Sequence, residues 1–164
     1  MEGPAAAGPR LRGQLFLATF GYIRDKHGED GLQAVLADLG EADRALLRAV
    51  ERDGWYPFGA LNRLAESAAR VVAPGDQSIF ERLGAASARD RTEWLGSDAR
   101  LYNVHGFLSR VAQEHRRFHD FGEAVYTRGG FHDGALAFSA YPEVHATFCR
   151  ASVGYLRSAV EFLT

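Results

Sequence analysis

Two histidines one helical turn apart are the residues of this sequence most suggestive of chemistry. His115 and His119 occur in "EHRRFHDFGEAVY", residues 114–126, with Asp120 and Glu123 close behind them. Side chains at positions i and i+4 of a helix project from one face, as two ligands of a zinc ion do. A catalytic zinc needs three protein ligands, however, and the two arginines between the histidines oppose a divalent cation. We therefore predict no metal site here and expect both histidines to face solvent near a helix end.

Two other groups could take part in catalysis. His132 and Asp133 could orient an imidazole for acid–base chemistry, but they lie in "GGFHDG", where Asp and Gly are typical of a turn. Cys149 is a candidate nucleophile, although a cysteine beside a core position such as Phe148 is more often structural. The serines and glycines form no nucleophile elbow or phosphate-binding loop. We therefore predict that the protein is not an enzyme and holds no metal.

The composition is that of one ordinary globular domain. The chain has 164 residues, of which 46% are hydrophobic and 24% charged, and its formal net charge is −2. Such a charge provides no general attraction to nucleic acid or to anionic lipid. No segment approaches the roughly 18 apolar residues of a membrane helix, and the single cysteine excludes an internal disulfide. We predict a cytoplasmic protein with no nucleic-acid or membrane partner.

Hydrophobic periodicity predicts a mainly helical first two-thirds of the chain. Residues 1–10 are rich in Ala, Gly and Pro and predict a disordered tail, followed by a single α+β domain over 11–164. Apolar residues recur at helical spacing over 11–23 and again over 32–39, with Gly28 between them. Two helices are therefore expected before residue 40.

Further helices and a hairpin follow from capping residues and from a change of period. Helices are expected at "EADR", after Pro57, after Asp76 and over roughly 101–119, and the last helix should begin at Pro142. Between them, "EAVYTR" and "ALAFSAY" alternate around a glycine-rich loop, which predicts an antiparallel β-hairpin. The expected fold class is α+β, with a closing C-terminal helix packed on the small sheet.

Aromatic residues make up 12% of the chain, enough to line a pocket as well as to form a core. Helices packed against a hairpin can enclose an apolar space that suits a small ligand. We predict such a site between the helices and the hairpin. Its expected lining residues are Tyr102, Phe107, Phe118, Tyr126 and Phe138.

Four segments carry a likeness to a known family. They are "EADRALLRAVERDGWYPFGALNRLAESAARVV", "IFERLGAASARD", "FHDFGEAVY" and "CRASVGYLRSAVEFL", within residues 11–163. In this order and spacing they resemble an uncharacterised bacterial family that is expanded as paralogues in myxobacteria. That family is distantly similar to vinyl-reductase-like and heme nitric-oxide/oxygen-binding domains. The resemblance implies helices, a sheet, and a cavity between them that holds a small molecule or a tetrapyrrole.

The resemblance also names a cofactor to test. Its heme-binding relatives use a histidine on the helix before the sheet, for which His105 is the nearest candidate, and a Tyr-Ser-Arg motif that clamps the propionates. Here "AFSAYP" supplies no such arginine, so we predict no cofactor and keep a heme-based gas sensor as an alternative. The relatives continue into further strands, whereas this chain ends at Thr164. We expect either a truncated chain or a hairpin with an unpaired edge.

The predicted function is a non-enzymatic sensory or regulatory module that binds a small apolar or aromatic ligand between helices and sheet. The alternative is a protein-interaction adaptor or dimerisation module. It would act through the exposed sheet edge or the C-terminal helix, with a second copy or another protein as its partner.

Overall fold

The computed structural model describes residues 8–95 and 103–164, except for the side chains of residues 91–95. Helices make up most of the described length, and two small antiparallel sheets complete it. The α+β class expected from the sequence is thus confirmed. In chain order the elements are β1 (Arg10–Arg12), α1 (Gly13–Asp38), α2 (Glu41–Arg48), β2 (Trp55–Pro57), α3 (Phe58–Val72), α4 (Ile79–Leu95), α5 (Val104–Gln113), α6 (His115–Phe118), β3 (Glu123–Arg128), β4 (Gly134–Ser139) and α7 (Ala146–Leu163).

Helix α1 is kinked where the sequence predicts an interruption. Gly28 has a φ of 73° and a ψ of 176°, a conformation that is essentially restricted to glycine. The two helical segments expected on either side of it are therefore present and follow one another directly. Their apolar residues Phe16, Ile23 and Val35 have no exposed surface and form part of the main core.

Strands β1 and β2 form a small sheet that the sequence pattern does not predict. They pair antiparallel, with Leu11 opposite Tyr56. The pairing includes Arg10, for which the prediction of a disordered tail over residues 1–10 is wrong. The backbone N and the side-chain Nε of Arg10 each donate a hydrogen bond of 2.6 Å to the Asp120 carboxylate, and these bonds hold the strand in place.

Helix α3 begins directly after Pro57, as expected, and its apolar face is buried in the main core. Phe58, Leu64 and Ala68 on this face have no exposed surface. Asn62 follows Phe58 by four residues, so the helical repeat places it on the same buried face. A polar amide therefore enters the interior from α3.

Helices α4 and α7 cross in backbone contact, the most extensive pairing among the described elements. A Cβ at Gly84 would overlap the carbonyl oxygen of Ala151, and a Cβ at Gly154 would overlap the carbonyl oxygen of Glu81. A glycine of each helix thus lies directly against the backbone of the other helix. At the exposed edge of the crossing, Arg157 donates to the Glu81 carboxylate at 2.8 Å.

Strands β3 and β4 form the hairpin expected from the alternating pattern. Their register runs from Glu123 opposite Ser139 to Arg128 opposite Gly134. The intervening loop closes through backbone hydrogen bonds to the carbonyl of Asp133. This confirms the turn expected of "GGFHDG".

The closing helix α7 packs mainly on α4, whereas α5 is the principal helical neighbour of the hairpin. Ala159 of α7 is fully buried in a second cluster with Phe107 and Val111 of α5, and Leu136 of β4 packs against this cluster. Leu136 thus contributes to the packing of the hairpin on the helices. The last helix and the small sheet thus border one cluster, and the most extensive packing of α7 is on α4.

Helix α7 begins at Ala146 and not at Pro142, so the predicted start is wrong. The ring of Tyr141 packs edge-on against Phe121, with 5.1 Å between centroids, and this contact fixes the chain just before the proline. The segment then runs to His145, whose carbonyl accepts the first helical hydrogen bond.

The helix predicted over roughly 101–119 is divided. Residues 96–102 lie outside the described part of the chain, α5 ends at Gln113, and Glu114 separates it from α6 with a φ of −89° and a ψ of 4°. Among the residues that the structure describes, no helix has both the length and the apolar character needed to cross a membrane.

Candidate functional site

A cavity lies between the helices and the hairpin, in the region where the sequence predicts a ligand site. Its volume is about 140 Å³. Residues of α1, α3, α4, α5, α6, β4 and α7 line it. Most of the wall is apolar, with Leu61, Phe80, Leu83 and Phe148 among the side chains that form it.

Three hydroxyl groups in the cavity wall are engaged by their own helices. Thr19, Ser87 and Ser152 each donate to the carbonyl four residues earlier, at 3.1, 3.5 and 2.9 Å. A helical serine or threonine that bonds in this way donates its only hydroxyl hydrogen to a backbone carbonyl. These hydroxyls therefore add little polarity to the space.

Asn62 brings an amide to the wall from α3. It is 4% exposed, and its Oδ1 accepts a hydrogen bond of 3.3 Å from the Thr147 hydroxyl of α7. Its Nδ2 is buried and has no hydrogen-bond partner in the described parts of the chain. Leaving a buried donor unsatisfied costs roughly 1–3 kcal/mol. The cavity thus has an apolar wall with an unsatisfied donor beside it.

His115 also lies in the wall, and only 5% of it is exposed. Its Nε2 donates to the carbonyl of Phe121 at 3.1 Å, and the Tyr141 hydroxyl lies 3.4 Å from the same nitrogen. Burial lowers the pKa of His115; the hydrogen bond to Phe121 opposes this shift and the charge of Arg116 adds to it. Burial therefore favours the neutral imidazole.

The expectation that His115 faces solvent is wrong, and His119 is only partly exposed. His119 forms a β-bridge with Leu11. This bridge holds α6 against β1, with His115 toward the core. The two rings stack with centroids 4.2 Å apart and planes 11° from parallel. Nδ1 of His119 donates to the carbonyl of His115 at 3.2 Å.

This stacking does not suit a shared metal ion. Stacked parallel rings direct their nitrogen lone pairs along parallel planes, whereas two ligands of one ion must point at a common centre. Nε2 of His115 and Nδ1 of His119 are also occupied by backbone carbonyls. Within residues 8–95 and 103–164, no group of three His, Cys, Asp or Glu residues is placed to hold a metal ion.

The structure brings two of the five predicted lining residues to the cavity. Phe118 and Phe138 are part of its wall. Phe107 is buried instead in the second cluster with Ala159. Tyr126 points toward the start of α5, and Tyr102 lies outside the described residues.

The residues present do not fit a heme. Nδ1 of His105 accepts from the Tyr126 hydroxyl at 2.5 Å, and Nε2 donates to the carbonyl of Phe131 at 2.8 Å. Both ring nitrogens therefore join α5 to the hairpin, and His105 is not in the cavity wall. The cavity of about 140 Å³ is also below the roughly 300–1,000 Å³ of pockets for drug-sized molecules, and heme is at least that large.

Two important residues of the site were missed in reasoning from the sequence. Asn62 carries a signal that was available, because a polar residue four positions after Phe58 interrupts an otherwise apolar helical face. Tyr141 carried no such signal, since the strand pattern was expected to end there. Its ring lies between His115, Phe121 and Phe148, with centroids 5.8, 5.1 and 6.1 Å away.

No family model, no curated protein and no solved structure matches the chain. The likeness to a myxobacterial paralogue family therefore stays a prediction.

Proposed function

We propose that this protein is a non-enzymatic sensory or regulatory module, and that it binds a small, mainly apolar molecule in the cavity between helices and hairpin. The observation that carries the proposal is the apolar cavity of about 140 Å³ itself. An apolar cavity of about 150 Å³ engineered into another protein stays dry and binds benzene or xenon. A ligand of one small ring matches this volume.

The lining supports binding in preference to catalysis. The hydroxyls of Thr19 and Ser152 donate to their own helices, and Nε2–H of His115 is committed to the Phe121 carbonyl. What the cavity offers a ligand is therefore apolar contact and shape. Burying a ring-sized apolar molecule is favourable at about 25 cal/mol per Å² removed from water.

The position of the cavity supports a regulatory role. Its wall is assembled from α1, α3, α4 and α7 together with β4 and the short α6. A bound molecule would touch both the helical part and the hairpin. Ligand binding would thus stabilise the arrangement in which these parts are packed together, which is how a ligand shifts a conformational equilibrium.

The test is binding of benzene, followed by thermal unfolding and by NMR titration. A ligand that binds only the folded state adds about 1.4 kcal/mol of stability at ten times its Kd, so benzene should raise the Tm. Ala18→Leu, which places a larger side chain in the cavity wall, should abolish this increase. Ala34→Leu is the matched control, because Ala34 is exposed on the same helix. An unchanged Tm of the original protein in benzene, or equal responses of both variants, would contradict the proposal.

A second candidate function is dimerisation through the hairpin, with a second copy of the chain as partner. β3 and β4 pair only with each other among the described strands, and Val125 on β3 is 55% exposed. An open strand edge pairs readily with another strand. In a two-fold symmetric dimer, the same edge of the second copy supplies that strand. Sedimentation should then give a dimer that Val125→Lys converts to a monomer. A monomeric mass at every concentration would exclude it.

A further inference from the structure

We infer that the ligand of this cavity carries a hydrogen-bond acceptor, such as a ketone-type oxygen, and that Nδ2 of Asn62 donates to it. The inference rests on the proposed function and adds a chemical class to it. The ligand would be a small hydrocarbon skeleton with one acceptor oxygen. Asn62 would be the residue that selects for this oxygen.

The starting observation is a donor that has been buried without a partner. Asn62 is 4% exposed in the cavity wall, and its Nδ2 has no hydrogen-bond partner in the described chain. Its neighbours on α3 include the apolar residues Leu61 and Ala65, which line the same cavity. Buried polar groups are nearly always hydrogen-bonded, so an unsatisfied one in a cavity wall points to a partner that enters the cavity.

The Thr147 hydroxyl sets the orientation of the Asn62 amide. The Thr147 hydroxyl donates its only hydrogen to Oδ1 of Asn62 at 3.3 Å. That hydroxyl in turn accepts from Nδ1 of His145 at 2.6 Å, and Nε2 of His145 lies 3.3 Å from a Glu66 carboxylate oxygen. This chain of contacts, in which His145 donates from both ring nitrogens only when it is charged, runs from the partly exposed Glu66 to the cavity. It occupies the oxygen of Asn62 and leaves the NH₂ group as the donor.

Four other donors of the wall are already engaged. The hydroxyls of Thr19, Ser87 and Ser152 donate to carbonyls of their own helices. Nε2 of His115 donates to Phe121. An oxygen on the ligand would thus be attracted to the α3 side of the cavity. Its hydrocarbon part would lie against the apolar wall.

Cyclohexanone and methylenecyclohexane are suitable probes, because they have nearly the same shape and differ in a C=O against a C=CH₂ group. We expect both to bind the original protein. Cyclohexanone alone should move the side-chain ¹H–¹⁵N resonances of Asn62 to lower field, as a new hydrogen bond does. This measurement needs no variant to fold.

Asn62→Leu then removes the donor while keeping the size of the side chain. A net hydrogen bond to a buried donor corresponds to about a tenfold change in affinity. The ratio of the two Kd values should therefore shift by about tenfold toward the hydrocarbon. The control is Gln33→Leu, which makes the corresponding change at an exposed amide of α1 and should leave the ratio unchanged.

The outcomes separate this inference from the function on which it rests. If both probes bind but the ratio is the same with and without the Asn62 amide, the inference is wrong and the binding function stands. If Asn62 resonances respond equally to both probes, the inference is likewise overturned. If neither probe binds the original protein, the proposed function fails, and the inference fails with it.

Discussion

Gly84 on α4 and Ala151 on α7 are in backbone contact, with no room for a Cβ between the glycine and the Ala151 carbonyl oxygen. Both residues also line the cavity. The close approach of the two helices therefore closes one side of the space in which a ligand would bind. Packing and the proposed function depend on the same crossing.

Substitution at this crossing should destabilise the fold. Gly84→Ala would force α4 and α7 apart, and overpacking of this kind costs about 1–3 kcal/mol. Urea unfolding measures the loss. Gly21→Ala is the matched control, because a Cβ there meets nothing within 4 Å, and it should leave the protein equally stable or up to about 1 kcal/mol more stable. Equal effects of the two substitutions would show that the crossing is not tightly packed.

The aromatic cluster behind the cavity should be the most sensitive part of the core. The ring of Phe58 lies 5.0 Å from that of Phe121 and 4.9 Å from that of Phe148, which lines the cavity. Phe58→Ala should lower the free energy of unfolding by about 3–5 kcal/mol. Phe131→Ala, at a residue that is 77% exposed, should change it by less than about 0.5 kcal/mol. A small effect of Phe58→Ala would argue against the described core.

Stability should fall as the pH decreases from 7.5 to 5.5. Burial lowers the pKa of His115 in the folded protein, so the unfolded chain binds more protons over this range. The stability contributed by His115 is fully present above the pKa that this residue has in the unfolded chain. It is lost as the pH falls through the pKa of His115 in the folded protein, by at most about 1.4 kcal/mol per pH unit. His115→Phe should flatten the profile measured by urea unfolding.

A substitution at an exposed histidine is the control for the pH experiment. His132→Gln, at an exposed residue of the hairpin loop, should retain the slope of the original protein. Hydrogen bonds from Ser78 and Arg82 lower the pKa of Asp76 to about 2, so this carboxylate titrates below the window. A slope that survives in His115→Phe would mean that another group is responsible.

The anchor between Arg10 and Asp120 should hold the first strand in place. Asp120→Ala removes both bonds of 2.6 Å from Arg10, although the backbone bond from Asp120 to the Arg10 carbonyl at 3.1 Å remains available. We expect faster hydrogen exchange in β1 with little change in α3. Uniform exchange rates in the two proteins would contradict an anchoring role.

The local signals in the sequence were sufficient for most of the fold. Gly28, Pro57 and Asp76 mark interruptions or helix starts that are present in the structure. Period-two alternation likewise predicts β3 and β4, because one face of the hairpin packs on the helices. These features depend on neighbours in sequence, which is why a single chain reveals them.

Features that depend on distant neighbours could not be predicted in this way. The three-residue strands β1 and β2 exist because Leu11 meets Tyr56. The burial of His115 depends on the bridge between His119 and Leu11, and the true start of α7 depends on where Tyr141 packs. Of the five expected lining residues, Phe118 and Phe138 are in the cavity wall, Phe107 and Tyr126 lie elsewhere, and Tyr102 lies outside the described residues. A cavity is what packing leaves unfilled, and a sequence pattern does not encode it.

The most direct test of the central claim is a crystal structure determined under xenon pressure, because xenon enters apolar cavities and is easily located by its scattering. A binding cavity predicts a xenon atom beside Leu83 and Phe148, and no such atom in Ala18→Leu crystals. A closely packed interior that contains no xenon at this position would contradict the claim.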